Sequence, residues 1–184
     1  MKTGLLVVDM LNDFVTGVLA NPAAEPTIDP IGTLVDAART RPDWLTIYAN
    51  DAHRPGDLEF EVFGEHAVAG TEGALVISDL TPASGVDEVI PKRYYSAFTQ
   101  TDLASTCRVN DIGRLVIVGQ HTDCCVRHTT YDAFLQGIEV VVVSDATAVF
   151  EPLSEAPYEP RQQAALDYLQ TFYKAQVTIS EDLL

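Results

Sequence analysis

Leu5-Leu6-Val7-Val8-Asp9 is a continuous apolar run that ends abruptly in a carboxylate. Four apolar residues in a row, without alternation, read as a strand buried on both faces of a parallel sheet, with a polar residue at its carboxyl end. The same grammar recurs along the chain. Leu45-Thr46-Ile47-Tyr48-Ala49-Asn50 leads into Asp51, and Glu88-Val89-Ile90-Pro91 into Lys92. Leu115-Val116-Ile117-Val118-Gly119 leads into the segment from Gln120 to Cys125, and Val140-Val141-Val142-Val143 into Ser144-Asp145. Helices are expected at about 29–41, 100–110, 123–136 and 159–174, with a last short strand near Gln176 to Ile179.

Strands alternating with helices predict a single α/β domain over residues 1–184, with a parallel, Rossmann-like sheet of about six strands and helices on both faces. Two stretches without periodicity, about 15–28 and 52–86, are rich in Pro, Gly and Ala and are expected to be long loops. Loops of that length in a compact domain usually carry function. The residues from Glu151 to Leu184 carry no sharp motif, and only a packing role is expected of them.

The 184 residues are 47% hydrophobic and 21% charged, the range of an ordinary globular chain able to close one core. There is no run of eighteen apolar residues and no signal-peptide pattern after Met1, so no membrane association and a cytoplasmic location are expected. Acidic residues outnumber basic ones by 27 to 11, for a formal charge of -16, a field that repels nucleic acid. Cys107, Cys124 and Cys125 form neither a disulfide framework nor a CxxC motif.

Ligands of open α/β sheets bind outside the carboxyl ends of the strands, which is where Asp9, Asp51, Lys92 and Cys125 fall. In Gly119-Gln120-His121-Thr122-Asp123-Cys124-Cys125-Val126-Arg127-His128-Thr129 a strand passes into a helix, and Cys125 should sit in the helix's first turn. A helix N-terminus favours a thiolate there, and its free amides could hold an oxyanion. Taken alone, a cysteine at this place also reads as a small buried apolar residue.

Val8 to Phe14, Asn50 to His53, Glu65 to Ala74, Lys92 to Phe98 and Gly119 to Ala133 resemble, in order, the successive motifs of the isochorismatase-like cysteine hydrolases, nicotinamidase branch. The resemblance covers residues from about 4 to 150. It implies Cys125 as nucleophile, Asp9 as general base and Lys92 as the cation completing a triad. It further implies a cis peptide at Gln120–His121, with the backbone amides of His121 and Cys125 as the oxyanion hole. Phe14 and Tyr131 are candidates to line the substrate pocket, although either can be plain core.

Asp51, His53 and His66 match the metal ligands of nicotinamidases, a donor set suited to Zn²⁺ first, with Mn²⁺ or Fe²⁺ as alternatives, and no organic cofactor is expected. The alternative is that both histidines are surface or hydrogen-bonded residues. The implied partner is a small amide, nicotinamide-like, and a homo-oligomer is expected by resemblance. Departures from the nicotinamidase pattern leave room for another amide, such as a ureido compound. Ala52 replaces the usual tryptophan, and Ala67 stands where many members carry a cysteine. Arg54 to Glu59 lack the usual second histidine, and Cys124 replaces a larger residue. His128 reads as structural and Cys124 as a small pocket-wall or core residue. A non-catalytic binding module on the same fold, or a thiol sensor using Cys124 and Cys125, are the readings of a different class.

Overall fold

The computed structural model describes all 184 residues. Six strands are β1 (Lys2–Val8), β2 (Trp44–Asp51), β3 (Glu88–Lys92), β4 (Ile112–Gln120), β5 (Glu139–Ala148) and β6 (Gln176–Thr178). Six helices are α1 (Asn12–Val15), α2 (Ile28–Arg39), α3 (Phe60–Phe63), α4 (Leu103–Val109), α5 (Cys125–Leu135) and α6 (Tyr158–Tyr173). All strand pairs are parallel, in the order β3-β2-β1-β4-β5-β6.

The unbroken apolar runs are buried on both faces because successive strand residues point to opposite sides. Leu6, Val8, Ile47, Ile117 and Val142 join one core, where Leu103 and Cys107 of α4, Val126 and Ala133 of α5 and Leu166 and Leu169 of α6 cover them. Leu5, Val7, Tyr48, Val116 and Val118 join the other, under Ile31, Leu34, Val35 and Ala38 of α2. Each fully buried aliphatic side chain contributes about 1.5–3 kcal/mol, and both faces supply many.

The chain runs outward from β1 to β2 and β3, then crosses back so that β4 lies on the other side of β1. The connections leaving the paired strands β1 and β4 therefore part to opposite sides, which makes this a topological switch point, the usual place for a ligand crevice. Gly119 sits there with φ 99°, and a Cβ on it would lie 2.1 Å from the Val8 carbonyl oxygen, so only glycine lets β4 approach β1 this closely.

Three details differ from the sequence-based expectation. β5 continues past Val143 to Ala148, because a register shift lets Thr147 and Ala148 pair again with Gly119 and Gln120. The stretch 52–86 is not bare loop: it contains α3 and a bridge between His53 and Val68. The segment after Glu151 does more than pack. Gln162 accepts from the Val149 amide at 3.0 Å, and Arg161 donates to the carbonyls of Phe150 at 2.6 Å and Glu151 at 3.0 Å, holding the chain beside the crevice.

Candidate active site

Asp9 follows β1, Asp51 and Lys92 end β2 and β3, and Cys125 begins α5; all four are at most 4% exposed. Lys92 Nζ lies 2.7 Å from Asp9 Oδ2, 2.6 Å from Asp51 Oδ1 and 3.5 Å from Cys125 Sγ. Carboxylate oxygens of both aspartates and the sulfur fall within 4.8 Å of one another. Asp9 enters the left-handed region with φ 52°, and its Oδ1 accepts the Asp51 amide at 2.8 Å. A non-glycine residue seldom holds that conformation unless its surroundings enforce it. The loop after Lys92 is pinned to α5, since Ala97 N donates to Thr129 Oγ1 at 2.9 Å and Ser96 Oγ to Asp132.

The electrostatics bear on both the carboxylate and the thiol. Burial and the neighbouring Asp51 push the Asp9 carboxyl up to about 7. The Cys125 thiol is held well above its ordinary range by its hydrogen bond with Cys124 and by burial, against the opposing pull of Lys92. Both influences act against the helix N-terminus, which by itself favours the thiolate. Lys92 also divides its charge between two carboxylates, and its own pKa is driven well upward by them despite burial. What the arrangement offers is a thiol beside a carboxylate poised to accept its proton.

Against the group formed by Asp9, Lys92 and Cys125 lies a second cluster. Asp51, His53, Glu59 and His66 each bring one donor atom within 4.8 Å of the others. His53 Nε2 is 3.7 Å from Asp51 Oδ2 and 3.8 Å from Glu59 Oε2, and His66 Nε2 is 3.7 Å from Glu59 Oε1. The far nitrogens are committed elsewhere: His66 Nδ1 donates to the Gly64 carbonyl at 2.7 Å, and His53 Nδ1 bonds Asp57 Oδ2 at 3.1 Å. Arg93 grips Asp57 and holds its carboxyl well below the usual range, so Asp57 serves His53 as an ionised acceptor. Both Nε2 atoms and Asp51 Oδ2 are buried without a hydrogen-bond partner. Orphaned donors converging from two imidazoles and two carboxylates, with their outer nitrogens fixed, fit a divalent metal.

The isochorismatase domain family matches residues 3–181. The chain belongs to the isochorismatase family. An N-carbamoylsarcosine amidase from Thermoplasma acidophilum is 36% identical and superposes with a TM-score of 0.87 over 98% of both chains. A nicotinamidase from Bacillus subtilis is 31% identical, with a TM-score of 0.85 over 97% of this chain and 100% of that one. A ureidoacrylate amidohydrolase from Cronobacter sakazakii is 32% identical over 200 residues, 94% of this chain and 83% of that protein.

In this member of the family the turn that carries Cys125 opens onto a cavity of about 170 Å³. Its walls are Phe14, Leu19, Phe63, Phe150 and Leu153, with Asp51, Glu59, His66, His121, Asp123, Cys124 and Cys125 supplying polar groups. Phe14 and Cys124 are both wall residues of this cavity. The Gln120–His121 peptide is cis, and the amides of His121 and Cys125 have no acceptor within the protein. A buried network aligns this turn: Asn21 Nδ2 donates to Gln120 Oε1 at 3.0 Å, and Gln120 Nε2 to the Asp9 carbonyl at 3.3 Å.

Tyr131 is not in the cavity. Six residues beyond Cys125 and on another face of α5, it is 42% exposed and lies tilted against Tyr173 with ring centroids 5.2 Å apart. His128 is structural, its Nδ1 bonded to the Cys124 carbonyl at 2.8 Å. Glu59 is the residue that sequence reasoning missed: it lies where the second histidine was sought, and a carboxylate six residues after His53 was the available signal.

No helix of the structure is long and apolar enough to cross a membrane.

If the four-residue cluster holds a cation, Glu59→Gln should weaken its binding by about 10- to 100-fold, the range seen when a metal site loses supporting charge. Metal content after dialysis against a graded chelator measures this. Equal retention by the variant and the wild type would remove Glu59 from the ligand set.

Proposed function

We propose that this chain is a cysteine amidohydrolase that converts a small, uncharged, flat carboxamide of the nicotinamide kind into its carboxylate and ammonia. The observation that carries the reading is the convergence of Asp9 and Cys125 on Lys92 beneath a cavity of single-ring size. Pockets for drug-sized ligands run to roughly 300–1,000 Å³, so this one suits a smaller molecule.

In this mechanism Asp9 takes the Cys125 proton as the sulfur attacks the carbonyl carbon. The tetrahedral oxyanion is met by the amides of His121 and Cys125. Asp9 then returns its proton to the nitrogen, the C–N bond breaks, ammonia leaves and a thioester remains. Water attacks the thioester with Asp9 again as base, releasing the carboxylate and restoring the thiol. Lys92 holds the Asp9 carboxylate in place throughout and opposes the charge developing on sulfur. Asp51, His53, Glu59 and His66 would hold a divalent ion, zinc by first choice, which when bound would orient a polar atom of the ligand beside the scissile bond.

A second reading, a ureido or carbamoyl acid as substrate, is favoured by the named relatives. Against it, no lysine or arginine lines the cavity. A substrate carboxylate would be buried there without a side-chain cation, which is costly. Ammonia release from nicotinamide, compared with ureidoacrylate and N-carbamoyl amino acids, separates the two. Faster turnover of the acids would overturn the uncharged-amide reading.

Asp9 acts as base only when ionised, and its pKa of about 7 sets the sign of the pH dependence. Activity should fall about tenfold per unit as pH drops below that value and level off above it. A cation beside Asp51 would draw this limb to lower pH, so the kcat/KM profile is run with and without chelator. A flat profile from pH 5 to 8 in both would remove Asp9 as the base.

A further inference from the structure

His121 contributes more than its backbone. Its ring is 9% exposed and lines the cavity, and its Nε2 is buried with no hydrogen-bond partner. Phe14 meets the ring edge-on with centroids 5.5 Å apart, and Phe150 lies tilted against it at 4.9 Å, so two aromatic walls set its orientation. Phe150 is in turn held through its carbonyl by Arg161 at 2.6 Å. A buried polar atom left unpaired in a folded protein calls for an explanation, and the ring's place in the cavity wall between Phe14 and Phe150 supplies one: its partner arrives with the ligand.

We propose that His121 is a specificity-determining residue whose side chain hydrogen-bonds a second polar atom of the substrate, distinct from the carboxamide that is cleaved. The ligand class is a small planar amide carrying a ring nitrogen or hydroxyl at that place. The inference rests on the amide reading above and deepens it.

Burial holds the imidazole down at about 3, so it is neutral at ordinary pH and offers one donor and one acceptor nitrogen. It can therefore pair with either kind of substrate atom without a charge. Sites built to hydrogen-bond a ligand group discriminate strongly against analogues lacking it, because the site's own polar atom is then left unpaired.

The test uses the metal-loaded full-length Cys125→Ala protein and calorimetric binding of benzamide, nicotinamide, pyrazinamide and 3-hydroxybenzamide. At least one polar-substituted compound should bind about 10- to 100-fold more tightly than benzamide. That advantage should vanish when His121→Phe is added and return in part with His121→Gln. Benzamide itself should bind all three proteins within about threefold, which a general collapse of the pocket would not allow. An advantage that survives in His121→Phe, or no preference over benzamide in any protein, would overturn the inference. Ammonia release by the wild type on the same compounds judges the amidase reading separately, because the binding comparison needs no turnover.

Discussion

Replacing Cys125 by alanine is expected to lower kcat/KM for amide hydrolysis by at least about 10⁴-fold, the scale on which nucleophile removal acts in enzymes whose catalytic groups work as a unit. The sulfur is the atom that Lys92 meets at 3.5 Å beside Asp9, and its residue begins the helix, with a backbone amide that has no acceptor within the protein. Cys124 offers no substitute, because its side chain makes no bond to Lys92. The substitution removes one small buried group, so the variant should fold and keep its cavity. Steady-state ammonia release, with mass spectrometry of a trapped acyl or alkyl adduct, reads the result. Retention of more than about one-hundredth of the activity by the alanine variant would sink the covalent mechanism.

Lys92→Met should cost both activity and stability. Lys92 is fully buried between two carboxylates, and removing one partner of such a cluster leaves uncompensated buried charge, at about 3–5 kcal/mol. Methionine fills the same space, so lost packing is a minor part of the effect. The sign of the pH dependence follows from the aspartates. Asp51 is now held below its ordinary value, Lys92 and His53 together outweighing its burial; without the cation its carboxyl would rise above its unfolded value, and that of Asp9, already raised, would rise further. A folded state that retains protons loses stability as pH climbs through that window. The variant should therefore lose less at pH 5 than at pH 8, as urea unfolding at the two values would show. Equal losses at both would mean that packing, not charge, makes Lys92 necessary.

The sheet was legible because its strands are buried on both faces. Leu5 to Val8 alternate between the two cores, so every residue had to be apolar and the run was conspicuous. Asp9, Asp51, Lys92 and Cys125 stood out for the complementary reason, as polar or reactive residues where such runs end. Glu59 did not, because α3 is four residues long and buries none of them. Its place is set by tertiary packing, with Phe60 against His53 at 5.3 Å and the chain turning at Gly64 toward His66. No periodicity records that. Tyr131 was a different failure, because helix geometry forbids what was expected: six residues advance about 600°, which leaves its side chain some 240° around α5 from Cys125. The role of Arg161 was hidden since it acts on carbonyls, and backbone groups leave no trace in side-chain patterns.

Asp51 belongs to both halves of the site, giving Oδ1 to Lys92 and facing the imidazole cluster with Oδ2. One delocalised carboxylate charge is thereby divided, and whatever draws it toward one oxygen thins it at the other. A stronger electron acceptor at the cluster would slacken the hold on Lys92 and free more of its positive charge for the sulfur. Thermodynamic linkage makes the influence mutual, so protonation events around the thiol must register equally as changes in cation affinity. Substitutions that re-tune either half of this protein are thus constrained to be tolerated by the other.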